Sequence, residues 1–149
     1  MTILNRSSRR ILTRPLSEGV RAALAGTREG DVTILITSSE EVQALNRDHR
    51  GVDEPTDVLT FPAPEFPAGE LGDIAIDIEF IERGAKLRRV ALSHEAAYLA
   101  IHGALHLAGM DDQTEAEFRL MQKAMNDAAL KAGIPADLEW TSLPHGSDG

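Results

Sequence analysis

Residues 94–108 read HEAAYLAIHGALHLA, a run with almost no polar position. A helix that is apolar on every side belongs in the middle of a fold, with the other elements packed around it. Ser93 is placed as its N-cap and Gly109 as its stop, because glycine tolerates the left-handed backbone that ends a helix. Such a helix makes its two histidines conspicuous. His102 and His106 are four residues apart, which puts both imidazoles on one face, about 6 Å from each other.

The flanking sequence supplies what such a helix needs as cover. Residues 1–5 suit a short strand. Pro15 suits the first turn of a helix whose apolar stripe over 16–25 ends at Gly26. VTILIT at 32–37 reads as a buried strand, followed by a helix capped by Ser38 and Ser39, with Glu41 placed to close a capping box and Val42 and Leu45 on its inner face. A polar turn at 50–55 leads into TDVLTFP, a strand stopped by Pro62. APEFPAGE at 63–70 is a loop and the candidate for a mobile flap. LGDIAID at 71–77 pairs back onto TDVLTFP as a wide hairpin. Residues 78–87 are helical. A last helix over 114–132 packs through Phe118, Met121, Met125 and Ala128, and the tail from about 136 to 149 frays. The class is α+β: a small mixed sheet of about four strands packed with five or six helices, in one domain over residues 1–149.

A chain of 149 residues without cysteine has no disulfide framework, no thiolate zinc site and no cysteine nucleophile, which leaves His, Asp and Glu as metal ligands. Its first fifteen residues carry no apolar run of the secretory kind, and no segment is fit to span a bilayer, so a cytoplasmic location is expected. A net charge of −9 and a pI near 4.9 argue against nucleic acid. Net charge is a weak veto, however. Basic groups occur at Arg6, Arg9, Arg10 and Arg14, at Arg47 and Arg50, and at Lys86, Arg88 and Arg89. Most read as solvated arginines, yet a cleft lined by a few of them attracts a polyanion.

The chemistry concentrates in HGALHLAGMDD at 102–112. Two histidines at i and i+4 grip one divalent ion, as in the HExxH metalloproteases. Gly109 turns the chain back, and Asp112 arrives as a third, anionic ligand. Three protein ligands and an open fourth position define a catalytic metal site rather than a structural one. Asp112 has a competing role as N-cap of the next helix, with Glu115 closing the box; Thr114 with Glu117 is the other cap. Asp111 suits either task. The pattern approaches that of metzincin peptidases, but those carry a glutamate general base directly after the first histidine. Here that position is Gly103, which argues against ordinary peptide hydrolysis.

HGALHLAGMDD, together with LNRDHRGVDEPTDVLTFP and LGDIAI upstream, resembles the YbeY endoribonucleases, small bacterial metalloproteins of ribosomal RNA maturation. The resemblance covers roughly residues 30–130, with three ordered motifs. Two positions depart from the family pattern. Met110 replaces a tyrosine, and Asp112 stands where the third zinc-binding histidine belongs. Aspartate is competent for zinc, but its charge weakens the Lewis acidity of the ion and favours harder cations. The resemblance implies one Zn2+ per chain on His102, His106 and Asp112 at the bottom of a cleft. It places Arg50 facing that cleft, where a guanidinium beside a metal binds the charged oxygens of a phosphodiester in flight. Arg50, His102 and His106 are therefore the candidate catalytic residues, with Thr56, Asp57 and Thr60 along the wall. Glu95, two turns before His102, reads either as a supporting acid or, more simply, as a charge stabilising the helix N-terminus.

What this implies is a metal-dependent endoribonuclease for single-stranded rRNA, active in 16S 3′-end maturation and ribosome quality control. Its partners would be rRNA, the 30S subunit and assembly proteins, with no membrane and no organic cofactor. Whether water or the ribose 2′-OH attacks stays open, as does the general base. Two other readings stand beside it: a metzincin-like metallopeptidase or amide hydrolase, and a ribosome assembly factor with a structural metal.

Overall fold

The computed structural model describes residues 1–141 apart from 26, 28–29, 53–55, 65–68 and 138. Among them run β1 (Thr2–Asn5), α1 (Thr13–Leu24), β2 (Asp31–Thr37), α2 (Ser39–Arg50), β3 (Val58–Pro62), β4 (Glu70–Asp77), α3 (Ile78–Arg88), α4 (Leu92–Leu107) and α5 (Glu115–Lys131). The strands form one mixed sheet in the order β1-β2-β4-β3, with β1, β2 and β4 parallel and β3 antiparallel at the edge. This is the α+β class expected, with four strands and five helices among the described residues. The hairpin is also as expected, pairing Val58 with Ile76 and Pro62 with Gly72.

Side chains alternate across a strand, so the two sheet faces carry separate apolar sets. Ile34 and Ile36 of β2 and Ile74 and Ile76 of β4 face the main core with α1, α4 and α5. Leu59 and Ala75 face the other way onto Val42 of α2. The apolar run is the centre of the molecule: α4 touches α1, α3, α5, β3 and β4, and it is buried from Glu95 to Leu105 without interruption. Gly103 lets it lie this close to the sheet. A Cβ there would sit 2.9 Å from Ile74 Cγ2 and 3.4 Å from Thr60 Cγ2.

Local signals were mostly obeyed. Pro15 lies in the first turn of α1, and Ser38 accepts the Glu41 N–H at 3.2 Å, but the Glu41 carboxylate pairs with Arg6 at 2.9 Å rather than closing the expected capping box. Ser93 is a second exception. The residue before α4 is Ala91, with no side-chain cap, and Ser93 lies inside the first turn, where its Oγ accepts the Leu12 N–H at 2.8 Å. That bond ties α4 to the entry of α1, and its partner lies too far along the chain to be read locally. Gly26, residues 53–55 of the polar turn, 65–68 of the expected flap, and 138 and 142–149 of the expected tail lie outside the described residues.

Gly72 shows why the LGD turn of sequence holds glycine. Its φ is 153°, and a Cβ would meet the Phe61 carbonyl oxygen at 2.5 Å and the Pro62 Cα at 3.1 Å. Both obstacles are backbone of β3, which cannot step aside. Gly72→Ala is expected to lower stability by about 2 kcal/mol, measured as a shift of the urea midpoint at unchanged m-value.

Candidate metal centre

The end of α4 builds the site. Gly109, with φ 98°, donates its N–H to the His106 carbonyl, and the Met110 N–H donates to the Leu105 carbonyl, both at 3.0 Å. This pair of bonds is a Schellman motif, which closes the helix and reverses the chain. The reversal brings the Met110 carbonyl to 3.1 Å from His106 Nδ1. A carbonyl only accepts, so Nδ1 carries the proton and Nε2 keeps its lone pair.

Asp112 then lies over both imidazoles. The two Nε2 atoms are 3.1 Å apart, and Asp112 Oδ2 is 3.7 Å from that of His102 and 3.6 Å from that of His106. Bonds of 2.0–2.1 Å at tetrahedral angles need ligand atoms about 3.4 Å apart, so this donor set fits a zinc-sized ion. The competition for Asp112 is resolved as well. Thr114 caps α5 in a reciprocal box with Glu117, at 3.1 Å in both directions, so Asp112 is not spent as a cap.

His102 is the buried member. Burial, and then the neighbouring charge of His106, push its pKa down to about 4, against a smaller upward pull from Asp112. Its imidazole is neutral at pH 7 and ready to ligate. The depressed value has a consequence for protein freed of metal. Between pH 6.5 and 4 the unfolded chain holds a proton at this position that the folded chain refuses. Stability therefore falls as pH drops through that window, by up to about 3 kcal/mol. Chemical denaturation of the metal-free protein at pH 7, 5.5 and 4.5 checks it, and His102→Gln should flatten the profile.

The triad opens on a cleft of about 430 Å3 whose other walls include Arg50, Thr56, Asp57, Thr60 and Asp111. Every residue the sequence placed at the site is thus brought to one place. Arg50 closes α2 and donates from Nη2 to the Thr60 carbonyl at 2.7 Å, which holds the guanidinium over the edge strand. Arg6, Arg9, Arg14 and Arg47 pair with Glu41, Glu82, Glu18 and Asp48, so these arginines form no basic face. Glu95, read from the sequence either as a supporting acid or as a helix-terminus charge, lies beside the site. It is buried, paired with Arg88 at 2.5 Å, and accepts the Trp140 indole N–H at 3.1 and 3.2 Å. The Trp140 ring lies 5.4 Å from that of His102. Glu95 lies in the first turn of α4 and also reaches His102 through Trp140, so both readings of it have a structural counterpart.

A mixed sheet carrying a central helix, with His-His-Asp and an arginine at one cleft, defines a small α+β protein with a candidate hydrolytic metal centre. The chain belongs to the YbeY endoribonuclease family: the family model Endoribonuclease YbeY matches residues 3–133. It is 32% identical over 140 residues to an Endoribonuclease YbeY of Rhodopseudomonas palustris, covering 87% of this chain and 72% of that one. With the Endoribonuclease YbeY of Pelotomaculum thermopropionicum it shares 41% over 120 residues, covering 76% and 78%. The solution structure of TM1509 from Thermotoga maritima is similar, with a TM-score of 0.58 at 28% identity over 85% of this chain and 87% of that one.

Proposed function

We propose that this chain is a metal-dependent endoribonuclease that cuts single-stranded rRNA, with its ion on His102, His106 and Asp112. The observation that carries the reading is the meeting of that donor set with Arg50 in one cleft. When bound, a divalent ion lowers the pKa of a water molecule and offers a Lewis acid to phosphoryl oxygens. The protein's own part is positional. His106 is held in one tautomer by the Met110 carbonyl, and the Arg50 fork, steadied by Thr60, is aimed to bind the phosphodiester oxygens as their charge grows. Zinc is the proposed ion, one per chain, with the aspartate widening tolerance to harder cations.

The substrate proposed is the 3′ region of precursor 16S rRNA on the 30S particle, in the cytoplasm and in company with assembly proteins. Among the described residues no helix is long and apolar enough to cross a membrane. Peptide hydrolysis has no support, since Gly103 presses on Ile74 and leaves no room for a glutamate base. The test is cleavage of a precursor 16S 3′ fragment by metal-loaded protein, with casein as the control. Arg50→Ala is expected to cost roughly 10^2-fold or more in kcat/KM with metal content unchanged, and Arg50→Lys to restore part of it. Intact RNA with digested casein would overturn the reading.

A further inference from the structure

His102 and Asp112 face two cavities. One is the polar cleft that holds Arg50; the other, of about 280 Å3, lies between them and α5. Among the described residues no other lines both. The second cavity has a different chemistry. Its floor is Met121, Met125 and Trp140, all buried, and its sides include Phe118 and Gln122. Among the described residues its lining contains no lysine or arginine and one carboxylate, Asp112. Such a lining offers a phosphate no cationic side chain, whereas its aromatic and thioether groups suit the face of a planar ring.

We infer that this cavity is a nucleobase subsite, receiving the base of a nucleotide that flanks the phosphate held in the polar cleft. The inference rests on the RNA-cleaving reading above. A base stacks through its flat face, which matches a pocket lined by aromatic and thioether side chains. At about 280 Å3 the cavity falls just below the usual span for drug-sized ligands, roughly 300–1,000 Å3, and suits a single ring system. Because His102 and Asp112 line both cavities, a base held here would lie next to the phosphate in the polar cleft. Trp140 lies beyond residue 133, where the family match ends, so this wall is set by a part of the chain outside that match.

The test uses a single-stranded oligoribonucleotide with one mapped cut, and versions with an abasic residue at each position flanking it. Metal-loaded wild type is expected to lose about tenfold in kcat/KM for an abasic residue on one side of the cut, and little on the other. Phe118→Ala should lose a similar factor on intact RNA but hardly more on the sensitive abasic substrate, so that the two losses do not multiply. Equal tolerance of abasic residues on both sides overturns the subsite while leaving the nuclease reading intact, and needs no variant to fold. Losses that multiply overturn it too, since Phe118 would then act only through structure. An intact oligonucleotide that stays uncut overturns both.

Discussion

Asp112→Ala is expected to leave the protein with little or no bound metal after dialysis and to reduce RNA cleavage by about 10^3-fold or more. Asp112→His should keep its ion. The geometry supplies the reason. Oδ2 of Asp112 is the third corner of a triangle whose other corners are the two Nε2 atoms, with edges of 3.1, 3.6 and 3.7 Å. Removing that corner leaves two imidazoles on one helix face, which bind a divalent ion weakly. A histidine restores a third nitrogen without the aspartate's charge. Elemental analysis of the three proteins reads the outcome directly, and RNA cleavage follows it. Full occupancy in Asp112→Ala would remove Asp112 from the ligand set. The fold should survive, because α5 is capped by Thr114 and Glu117 rather than by Asp112.

That independence of cap and ligand was not legible in the sequence. Asp112 and Thr114 are both good caps by residue type, and only the folded geometry shows that the helix uses Thr114. What was legible came from short-range physics. The burial of α4 follows from its lack of polar positions. The shared face of His102 and His106 follows from helical periodicity, and the chain reversal from Gly109. The meeting of Arg50 with the metal residues lies at the other extreme. It depends on β3 being antiparallel at the edge of the sheet, so that the Thr60 carbonyl is there to receive the guanidinium. No local pattern states this, and it was anticipated only through likeness to a family. Ser93 failed for a related reason. Its hydroxyl satisfies a backbone group from 81 residues earlier rather than its own helix.

Glu95→Ala is expected to destabilise the protein by about 3–5 kcal/mol, because it leaves a mostly buried guanidinium without its counter-charge. The Glu95 side chain is 2% exposed and that of Arg88 13%, and their contact is 2.5 Å. Burial pushes the Glu95 carboxyl pKa up, with Arg88 and the Trp140 indole pulling against it. Gly84 makes the space for this pair, since a Cβ there would lie 2.3 Å from Glu95 Oε2 and 2.8 Å from Arg88 Nη1. Trp140 is the sole tryptophan, so its emission reports on the same contact. Glu95→Ala should shift that emission to the red as the indole loses its acceptor and loosens from His102. Glu95→Gln keeps an acceptor for the indole but no charge for Arg88, and should fall between. The double variant Arg88→Met/Glu95→Leu separates stability from positioning. Apolar replacement of a buried ion pair is often neutral or better, so its urea midpoint should return towards wild type. Its Trp140 lacks the hydrogen bond that fixes the ring beside His102, so metal affinity should stay reduced, by roughly 10-fold. Recovery of both properties together would show that the ion pair serves packing alone.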